Sequence, residues 1–192
     1  MSTPLDDGDR PAGDERAEDE LAGSGLAAGR PTGSGDHGLR LIVRTDGAAR
    51  GNPGPASLGA VLVDAGRPDA REPLAPADAS ISEYLGVQTN NVAEYQAVVR
   101  ALTLARELGA REVHLLLDSK LIVEQVHGRW KVKDAKLIPL HIQARRLLRS
   151  FDRWTATHVP RAQNAAADAL ANRAIDRVAA GGPPVVVVRP RP

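Results

Sequence analysis

The stretch from Leu39 to Asp64 reads LRLIVRTDGAARGNPGPASLGAVLVD and decides the fold of this chain. An apolar run at residues 41–43 leads to Asp46, and a turn-rich loop separates it from a second apolar run at residues 58–63. Apolar runs joined by a loop rich in glycine and proline are typical of two strands and a tight connection. We therefore predict a strand pair with Asp46 where the first strand meets the turn.

An acid at the end of an apolar strand lies at the open edge of a core, partly desolvated and able to face a ligand. The plain alternative for Asp46 is a residue that starts the turn by accepting hydrogen bonds from the backbone two residues on. Three more acids, Glu94, Asp118 and Asp168, occupy comparable places further along the chain. Their recurrence favours a functional interpretation of Asp46.

Composition bounds the class of protein. The chain has 192 residues, of which 42% are hydrophobic and 26% charged, enough for one well-packed domain. No run approaches the roughly 18 apolar residues of a membrane span, and the N-terminal MSTPLDDGDR lacks the apolar core of a secretory signal. We expect a cytoplasmic monomer without a membrane partner. There is no cysteine, so any metal must be held by oxygen or imidazole.

The net charge of +1 hides an asymmetry along the chain. Residues 1–38 contain nine acidic and three basic residues, a balance of −6, whereas the remainder contains 22 basic and 15 acidic residues, a balance of +7. The first segment lacks a periodic apolar pattern, so we predict a disordered acidic tail at 1–38 before a folded domain at 39–179. A basic body suits a polyanionic partner, although charge alone does not identify one. Residues 180–192 are predicted to be a flexible, Pro/Val-rich tail in which residues 185–188 either add a strand or begin a linker.

The second acid, Glu94, lies near the start of a predicted helix. Residues 80–85 alternate as an edge strand does, and the segment from Thr89 then opens a helix that continues to Leu108. The apolar stripe of this helix, followed back four residues from Val98, places Glu94 on the buried face. The alternative is a capping box, in which Asn91 caps the helix and Glu94 stands three residues later.

The third acid ends another strand. Residues 112–117 form a nearly continuous apolar run, as expected for a central strand covered on both faces, and Asp118 follows it directly. The strand–helix–strand order up to Asp118 predicts a crossover into a mixed sheet. If the strands ending at Asp46 and Asp118 lie parallel and adjacent, both carboxylates emerge at one edge.

The fourth acid, Asp168, lies one turn into the last predicted helix. Its alternative role is a favourable charge near a helix N-terminus. The basic segment 127–133, with one tryptophan, is either a surface that contacts phosphates or an ordinary solvated loop. The remaining predicted elements are a short helix at 119–126 with Ser119 as a possible cap, a helix at 135–148 with His141 on its surface, a strand at 154–159 and a helix from its cap Asn164 to about Val178.

This order of elements, with acids at Asp46, Glu94, Asp118 and Asp168, resembles the type 1 ribonuclease H family of the ribonuclease H-like superfold. The resemblance covers residues 40 to about 178. It implies an α/β domain with a five-stranded mixed sheet, three antiparallel strands followed by parallel strands, flanked by helices. It rests on Thr45-Asp46-Gly47 with Gly51-Asn52-Pro53-Gly54, Thr89-Asn90-Asn91 with Glu94, Asp118-Ser119, and His158 with Asn164-Ala165-Ala166-Ala167-Asp168-Ala169-Leu170-Ala171.

The resemblance implies an endonuclease that hydrolyses the RNA strand of RNA–DNA hybrids and leaves 5′-phosphate products. Two divalent ions about 3.5 to 4 Å apart make the nucleophile from water and stabilise the leaving oxygen. Mg²⁺ prefers oxygen ligands, with Mn²⁺ as a possible substitute. By this resemblance Asp46 bridges both ions, Asp168 serves the ion that activates water, and Glu94 and Asp118 serve the ion on the leaving side.

The resemblance also suggests residues that assist the reaction and bind the hybrid. His158 matches a family histidine proposed to aid proton transfer or product release, and Arg161 in the same loop is an alternative for that role. Larger bacterial members have a long basic insertion after the third acid, which is short here. With a short insertion, binding is expected to rely on Arg129, Lys131 and Lys133 in the basic segment. The other candidate nucleic-acid contacts are Asn52, Asn91, Asn90, Gln88 and Arg161.

Two other functions stay open. Another nuclease of the same superfold, such as a resolvase or a 3′ exonuclease, is disfavoured by the Asn-Asn-x-x-Glu helix start and the Gly-Asn-Pro-Gly loop. A catalytically silent protein that binds hybrids or double-stranded RNA is disfavoured because all four acids are present. The two Trp, two Tyr and one Phe of the whole chain also argue against a base-stacking platform.

Overall fold

The computed structural model describes residues 38–190, in which six strands form one mixed sheet flanked by four α-helices. The predicted acidic tail lies, up to residue 37, outside the described residues. No helix within residues 38–190 has both the length and the apolar character needed to cross a membrane. In chain order the elements are β1 (Arg40–Ala49), β2 (Gly54–Asp64), β3 (Ala79–Gln88), α1 (Asn90–Glu107), β4 (Glu112–Leu117), α2 (Lys120–Val126), α3 (Leu137–Leu148), β5 (Arg153–His158), a 3-10 turn (Arg161–Asn164), α4 (Ala165–Ala179) and β6 (Val185–Val188).

The sheet brings the ends of β1 and β4 to the same edge. Its spatial order is β5-β4-β1-β2-β3-β6, with β1, β2 and β3 antiparallel and with β4 and β5 parallel to β1. Arg44 of β1 lies opposite Leu116 of β4. Because Asp46 and Asp118 each follow two residues later, both carboxylates emerge side by side. The predicted mixed sheet and its crossover are confirmed. The prediction that the first strand ends at Asp46 is wrong, because β1 stays paired with β2 as far as Ala49.

Helices cover both faces of the sheet. The larger apolar core, which includes Val43, Leu58 and Leu102, lies between the sheet and the layer of α1 and α3. On the other face α4 packs against β1, β2 and β3. This packing is unusually close at Gly59, where an added Cβ would lie 2.1 Å from the carbonyl oxygen of Ala167. Glycine is required there because any side chain would push α4 off the sheet.

The sheet has six strands, one more than predicted. The additional strand, β6, pairs antiparallel with β3, so of the two alternatives for residues 185–188 the structure shows the added strand and not a flexible linker. Four consecutive valines favour an extended strand. The preceding turn is held because Arg177 donates to the Pro183 carbonyl at 2.6 Å and the Tyr84 amide donates to Pro184 at 2.8 Å.

Of the three predicted helix caps, Asn91 is wrong, whereas Asn164 and Ser119 occupy their N-cap positions without a side-chain capping bond. The cap of α1 is Thr89, whose hydroxyl accepts a hydrogen bond from the Val92 amide, and Asn91 lies inside the helix. The capping-box alternative for Glu94 therefore does not hold. Asn164 precedes α4 but makes no side-chain capping bond, and Ser119 makes none before α2. The Asn164 side chain is instead drawn inward by the bonds described below.

Candidate active site

A pocket of about 260 Å³ opens at the sheet edge where β1 and β4 end. Three of the predicted acids line it, and the fourth, Asp168, joins through hydrogen bonds from two other lining residues, Arg161 and Asn172. The structure thus brings all four acids together from four separate elements. The pocket is lined by Asp46, Gly47, Ala48, Ala49, Asn90, Glu94, Asp118, Arg161 and Asn172.

Asp46 is the most buried of the four acids, with 7% of its surface exposed. Burial first, and then the nearby carboxylates of Asp118, Asp168 and Glu94, together raise the pKa of Asp46 to about 7, whereas Arg161 opposes them. Desolvation and like charges both disfavour an ionised carboxylate. A cation placed among these acids would relieve both effects, so the pocket is electrostatically suited to one.

Glu94 reaches the pocket because α1 approaches β1 very closely. A Cβ on Gly47 would lie 2.2 Å from the backbone nitrogen of Glu94, so only glycine permits this contact. The Asn90 side-chain amide donates to Glu94 Oε1 at 2.8 Å. The other carboxylate oxygen of Glu94, Oε2, is buried and has no hydrogen-bond partner among the described residues. Burial, assisted by the Asp118 carboxylate, raises the pKa of Glu94 above its usual range.

Asp118 is held by a side chain that lies 46 residues later in the sequence. Asn164 Nδ2 donates to Asp118 Oδ1 at 2.9 Å and also to the Thr45 carbonyl oxygen at 2.9 Å. Asn164 is completely buried. It therefore ties β1 at the residue before Asp46, the end of β4 and the start of α4.

Asp168 faces the pocket from the first turn of α4 and is bonded on both oxygens. Arg161 donates to its Oδ1 at 2.6 Å, and Asn172, one turn further along α4, donates to Oδ2 at 3.1 Å. The Arg161 side chain is 79% exposed. Arg161 is thus an exposed cation that balances part of the negative charge of the four acids.

His158 and Arg161 were both candidates to assist the reaction, and they differ in position. His158 ends β5 and is exposed, outside the residues that line the pocket. Arg161 lines the pocket directly. Which of the two assists proton transfer stays a prediction.

The donor set suits a hard divalent cation. It consists only of carboxylate oxygens, and one of them, Glu94 Oε2, is buried without a hydrogen-bond partner among the described residues. A cation bound beside Asp46 would replace the proton that its raised pKa favours. Within residues 38–190, however, no three acidic or histidine side chains converge closely enough, as they stand, to hold an ion jointly. One oxygen of each of three carboxylates is engaged by a neighbouring side chain, since Asn90 donates to Glu94, Asn164 to Asp118 and Arg161 to Asp168.

The predicted hybrid-contacting asparagines lie along one rim of the pocket. The side chain of Asn52 accepts a hydrogen bond from the Asn90 amide at 3.1 Å, and Gly54 lies opposite Gln88 in the strand pairing. The loop after β1 and the start of α1 are therefore neighbours, and Asn91 is exposed beside them.

The basic segment offers fewer free cations than its sequence suggests. Arg129 forms a two-bond pair with Glu124, so its charge is already neutralised. Lys131 and Lys133 are exposed, and Trp130 is 46% exposed. These two lysines are the stronger candidates for phosphate contact.

Sequence reasoning missed two residues of the site. Asn164 was interpreted as a helix cap, and only the folded chain shows that it bonds Asp118. Asn172 was not considered, although its spacing of four residues from Asp168 places both on the same helix face.

Comparisons with known proteins identify relatives of this chain. Residues 44–174 match the family model described as reverse transcriptase-like. The chain is 46% identical over 141 residues to the bifunctional protein Rv2228c of Mycobacterium tuberculosis, a match that covers 73% of this chain and 37% of that protein. It is 43% identical over 141 residues to ribonuclease HI of Halobacterium salinarum, covering 73% of this chain and 67% of the relative.

Solved structures show the same fold. The N-terminal RNase H domain of Rv2228c superposes with a TM-score of 0.65 at 44% identity, covering 70% of this chain and 98% of that one. LC11-RNase H1, solved in complex with an RNA/DNA hybrid, superposes with a TM-score of 0.64 at 38% identity. The match covers 72% of this chain and 99% of LC11-RNase H1.

The mixed sheet with an acidic pocket where β1 and β4 end is the ribonuclease H-like fold. Within that class, this chain belongs to the type 1 ribonuclease H family. The matched part nevertheless spans only 37% of the length of the mycobacterial relative, which contains much more chain than this domain.

Proposed function

We propose that this protein hydrolyses the RNA strand of RNA–DNA hybrids as an endonuclease and leaves 5′-phosphate ends. The observation that supports this most directly is the buried Asp46, whose pKa is raised to about 7 by burial and by three neighbouring acids. Such clustering is costly to the folded domain and is characteristic of functional sites. A purely structural group of acids gains nothing from this arrangement.

The proposed roles of the acids are those that the resemblance to type 1 ribonucleases H implies. Asp46, on which the other three carboxylates act, would hold two Mg²⁺ ions, with Mn²⁺ as a possible substitute. Asp168 would serve one ion, and Glu94 and Asp118 the other. When bound, the two ions would supply a nucleophile made from water and stabilise charge on the leaving oxygen.

Residues around the pocket would orient the substrate. Side-chain amides can donate hydrogen bonds to 2′-hydroxyls and accept them, and the 2′-hydroxyl is the group that distinguishes RNA from DNA. Four such amides would form a rim for the RNA strand: Asn52, Asn90, Asn91 and Gln88. The complex of LC11-RNase H1 with an RNA/DNA hybrid supports the same substrate class for this chain. Lys131 and Lys133 would contact phosphates, and this contact should weaken with salt.

The test is cleavage of a labelled RNA–DNA hybrid, an RNA duplex and a DNA duplex, each in Mg²⁺ and in Mn²⁺. The parent is compared with Asp46→Asn and with Asp64→Asn, an acid at the opposite end of the β1–β2 pair. Cleavage confined to the hybrid and absent only in Asp46→Asn supports the proposal. Digestion of the products by an exonuclease that requires a 5′-phosphate checks the polarity of the cut.

Two results would argue for another function. A parent that binds the hybrid but cuts nothing with either metal is a binding protein, and the acids then need another explanation. Cleavage of branched or duplex DNA in preference to the hybrid would indicate a different nuclease of the same superfold. A cytoplasmic location and a monomeric state are part of the same proposal, and sedimentation of the purified protein tests the second.

A further inference from the structure

Arg44 is a buried cation in the middle of β1, two residues before Asp46. Only 2% of its surface is exposed. The described residues give it no salt bridge, and the two charges that act on it, Arg71 and Glu72, oppose each other. Its donors are used on backbone carbonyls instead, which distinguishes it from exposed, ion-paired arginines such as Arg153 and Arg161.

The three carbonyls belong to two separate segments. Arg44 donates to Gln163 at 3.1 Å in the 3-10 turn before α4. It also donates to Ala70 at 3.3 Å and Arg71 at 2.5 Å in the connection between β2 and β3. One side chain therefore fixes two loops onto the strand that contains Asp46.

Stability alone does not account for a charge at this place. Burial lowers the pKa of Arg44, which records the cost of taking the guanidinium out of water. Apolar residues of similar volume often replace buried charges without loss of stability. The neighbouring Ile42 and Val61 form an apolar cluster into which such a residue would fit. A buried arginine that only bonds carbonyls is better suited to fixing geometry.

The geometry that it fixes is that of the candidate site. The turn held through Gln163 contains Arg161, which pairs with Asp168, and Asn164, which holds Asp118. The rest of α4 is seated independently, because Ser57 and Ser82 donate to the Ala171 and Leu170 carbonyls at 2.6 and 2.8 Å. The beginning of α4 packs closely on β2 at Gly59, but within residues 38–190 it receives no side-chain hydrogen bond from β2 or β3, and the turn before it is bonded by Arg44 and Asn164.

We propose that Arg44 is a positioning residue that sets the turn before α4, and through it Asp118 and Asp168, relative to Asp46. Without Arg44 the turn would move away from β1 and the acids would no longer be arranged to receive cations. The inference rests on the proposed function for its catalytic consequence. Its structural consequence can be measured independently.

The test compares Arg44→Met and Arg44→Lys with Arg67→Met. Arg67 fixes the same β2–β3 connection through Asp69, Asp78 and the Pro76 carbonyl, but does not contact the turn before α4. Amide hydrogen exchange of residues 160–168 and calorimetric titration with Mg²⁺ are measured without substrate. Steady-state cleavage of a hybrid then separates kcat from KM.

Arg44→Met should speed exchange in residues 160–168 and weaken Mg²⁺ binding by roughly three- to tenfold each, as expected for the loss of about one buried hydrogen bond. It should lower kcat and leave KM nearly unchanged, because the asparagine rim is untouched. Arg44→Lys should restore part of each loss. Arg67→Met should speed exchange only in residues 65–78.

Parent-like exchange and Mg²⁺ binding in Arg44→Met would overturn the proposal, and so would equal losses in Arg67→Met, which would indicate general loosening. If Arg44→Met does not fold, amide exchange and Mg²⁺ binding are measured on Arg44→Lys. Parent-like values of both in Arg44→Lys would then overturn the proposal. A parent that cuts no hybrid would refute the proposed function, yet the exchange experiment would still decide the role of Arg44.

Discussion

Asn164 Nδ2 lies 2.9 Å from Asp118 Oδ1 and 2.9 Å from the Thr45 carbonyl oxygen, so one buried amide joins two acid-bearing strands to the helix that bears the fourth acid. Its own carbonyl oxygen is buried and has no hydrogen-bond partner among the described residues. An orphaned buried acceptor costs free energy, which the two donated bonds must offset. Asn164 therefore serves the site more than it serves the stability of α4.

Asn164→Ala should lower hybrid cleavage strongly and destabilise the domain by about 1 to 3 kcal/mol, because the Thr45 carbonyl and the Asp118 carboxylate lose a buried donor. Urea unfolding and steady-state cleavage measure the two effects. Gln163→Ala is the matched control, since that side chain is exposed. Cleavage by Asn164→Ala at the parent rate would show that Asp118 keeps its place without the amide.

Asp46→Asn should make the metal-free domain more stable at alkaline pH. Folding raises the pKa of Asp46 from 3.8 to about 7, so the stability contributed by its protonated form is complete below pH 3.8 and is lost as pH rises through 7. At about 1.4 kcal/mol per pKa unit, the loss is on the order of 4 kcal/mol. Unfolding in urea with a chelator at pH 5 and pH 8 measures the difference between variant and parent.

The gain in Asp46→Asn should be large at pH 8 and smaller at pH 5, while Asp64→Asn should follow the parent at both. An equal gain at both pH values would mean that Asp46 does not titrate between them.

Mg²⁺ should stabilise the parent and have little effect on Asp46→Asn. A ligand that binds only the folded state raises its stability according to concentration and affinity. Cation binding also relieves the like-charge repulsion that raises the pKa of Asp46. Thermal unfolding over a series of Mg²⁺ concentrations at pH 8 measures the shift in Tm. Equal shifts in the two proteins would place the bound cation away from Asp46.

Gly47→Ala should separate α1 from β1 and displace Glu94. The added Cβ would lie 2.2 Å from the Glu94 nitrogen and 2.5 Å from the Ala93 carbonyl carbon, and backbone atoms cannot yield as a side chain can. We expect a loss of about 1 to 3 kcal/mol, typical of overpacking, together with a loss of cleavage. In the control, Gly66→Ala, the nearest atom is a mobile carboxylate oxygen of Asp64 at 3.2 Å. Equal behaviour of the two variants would refute the close-approach argument.

The positions of the acids could be predicted because each follows from a local pattern. Asp118 directly follows an apolar strand, Glu94 lies on the apolar stripe of its helix, and Asp46 follows the apolar part of β1, although β1 itself continues to Ala49. Periodicity and strand order were sufficient to bring these three together. The roles of Asn164 and Arg44 could not be predicted in this way. Their hydrogen bonds span 46 and 119 residues of sequence, and no local pattern specifies such partners.

The sequence could not decide between a sixth strand and a linker for a different reason. Val185–Val188 favour an extended strand, but whether an isolated strand pairs depends on an available edge and on the turn that leads to it. Here the edge is provided by β3 and the turn by Arg177, neither of which is recognisable from the valines themselves.

Arg161→Gln should tighten Mg²⁺ binding, because Arg161 occupies Asp168 at 2.6 Å and a cation must displace it. The pair is largely exposed on the arginine side, so its removal should change stability by less than about 1 kcal/mol. Calorimetric titration with Mg²⁺ in the absence of substrate measures the affinity. Arg173→Gln, an exposed position on α4, makes the same change in net charge and should bind Mg²⁺ as the parent does. If both variants tighten binding equally, the effect belongs to net charge and the Arg161–Asp168 pair does not compete with the cation.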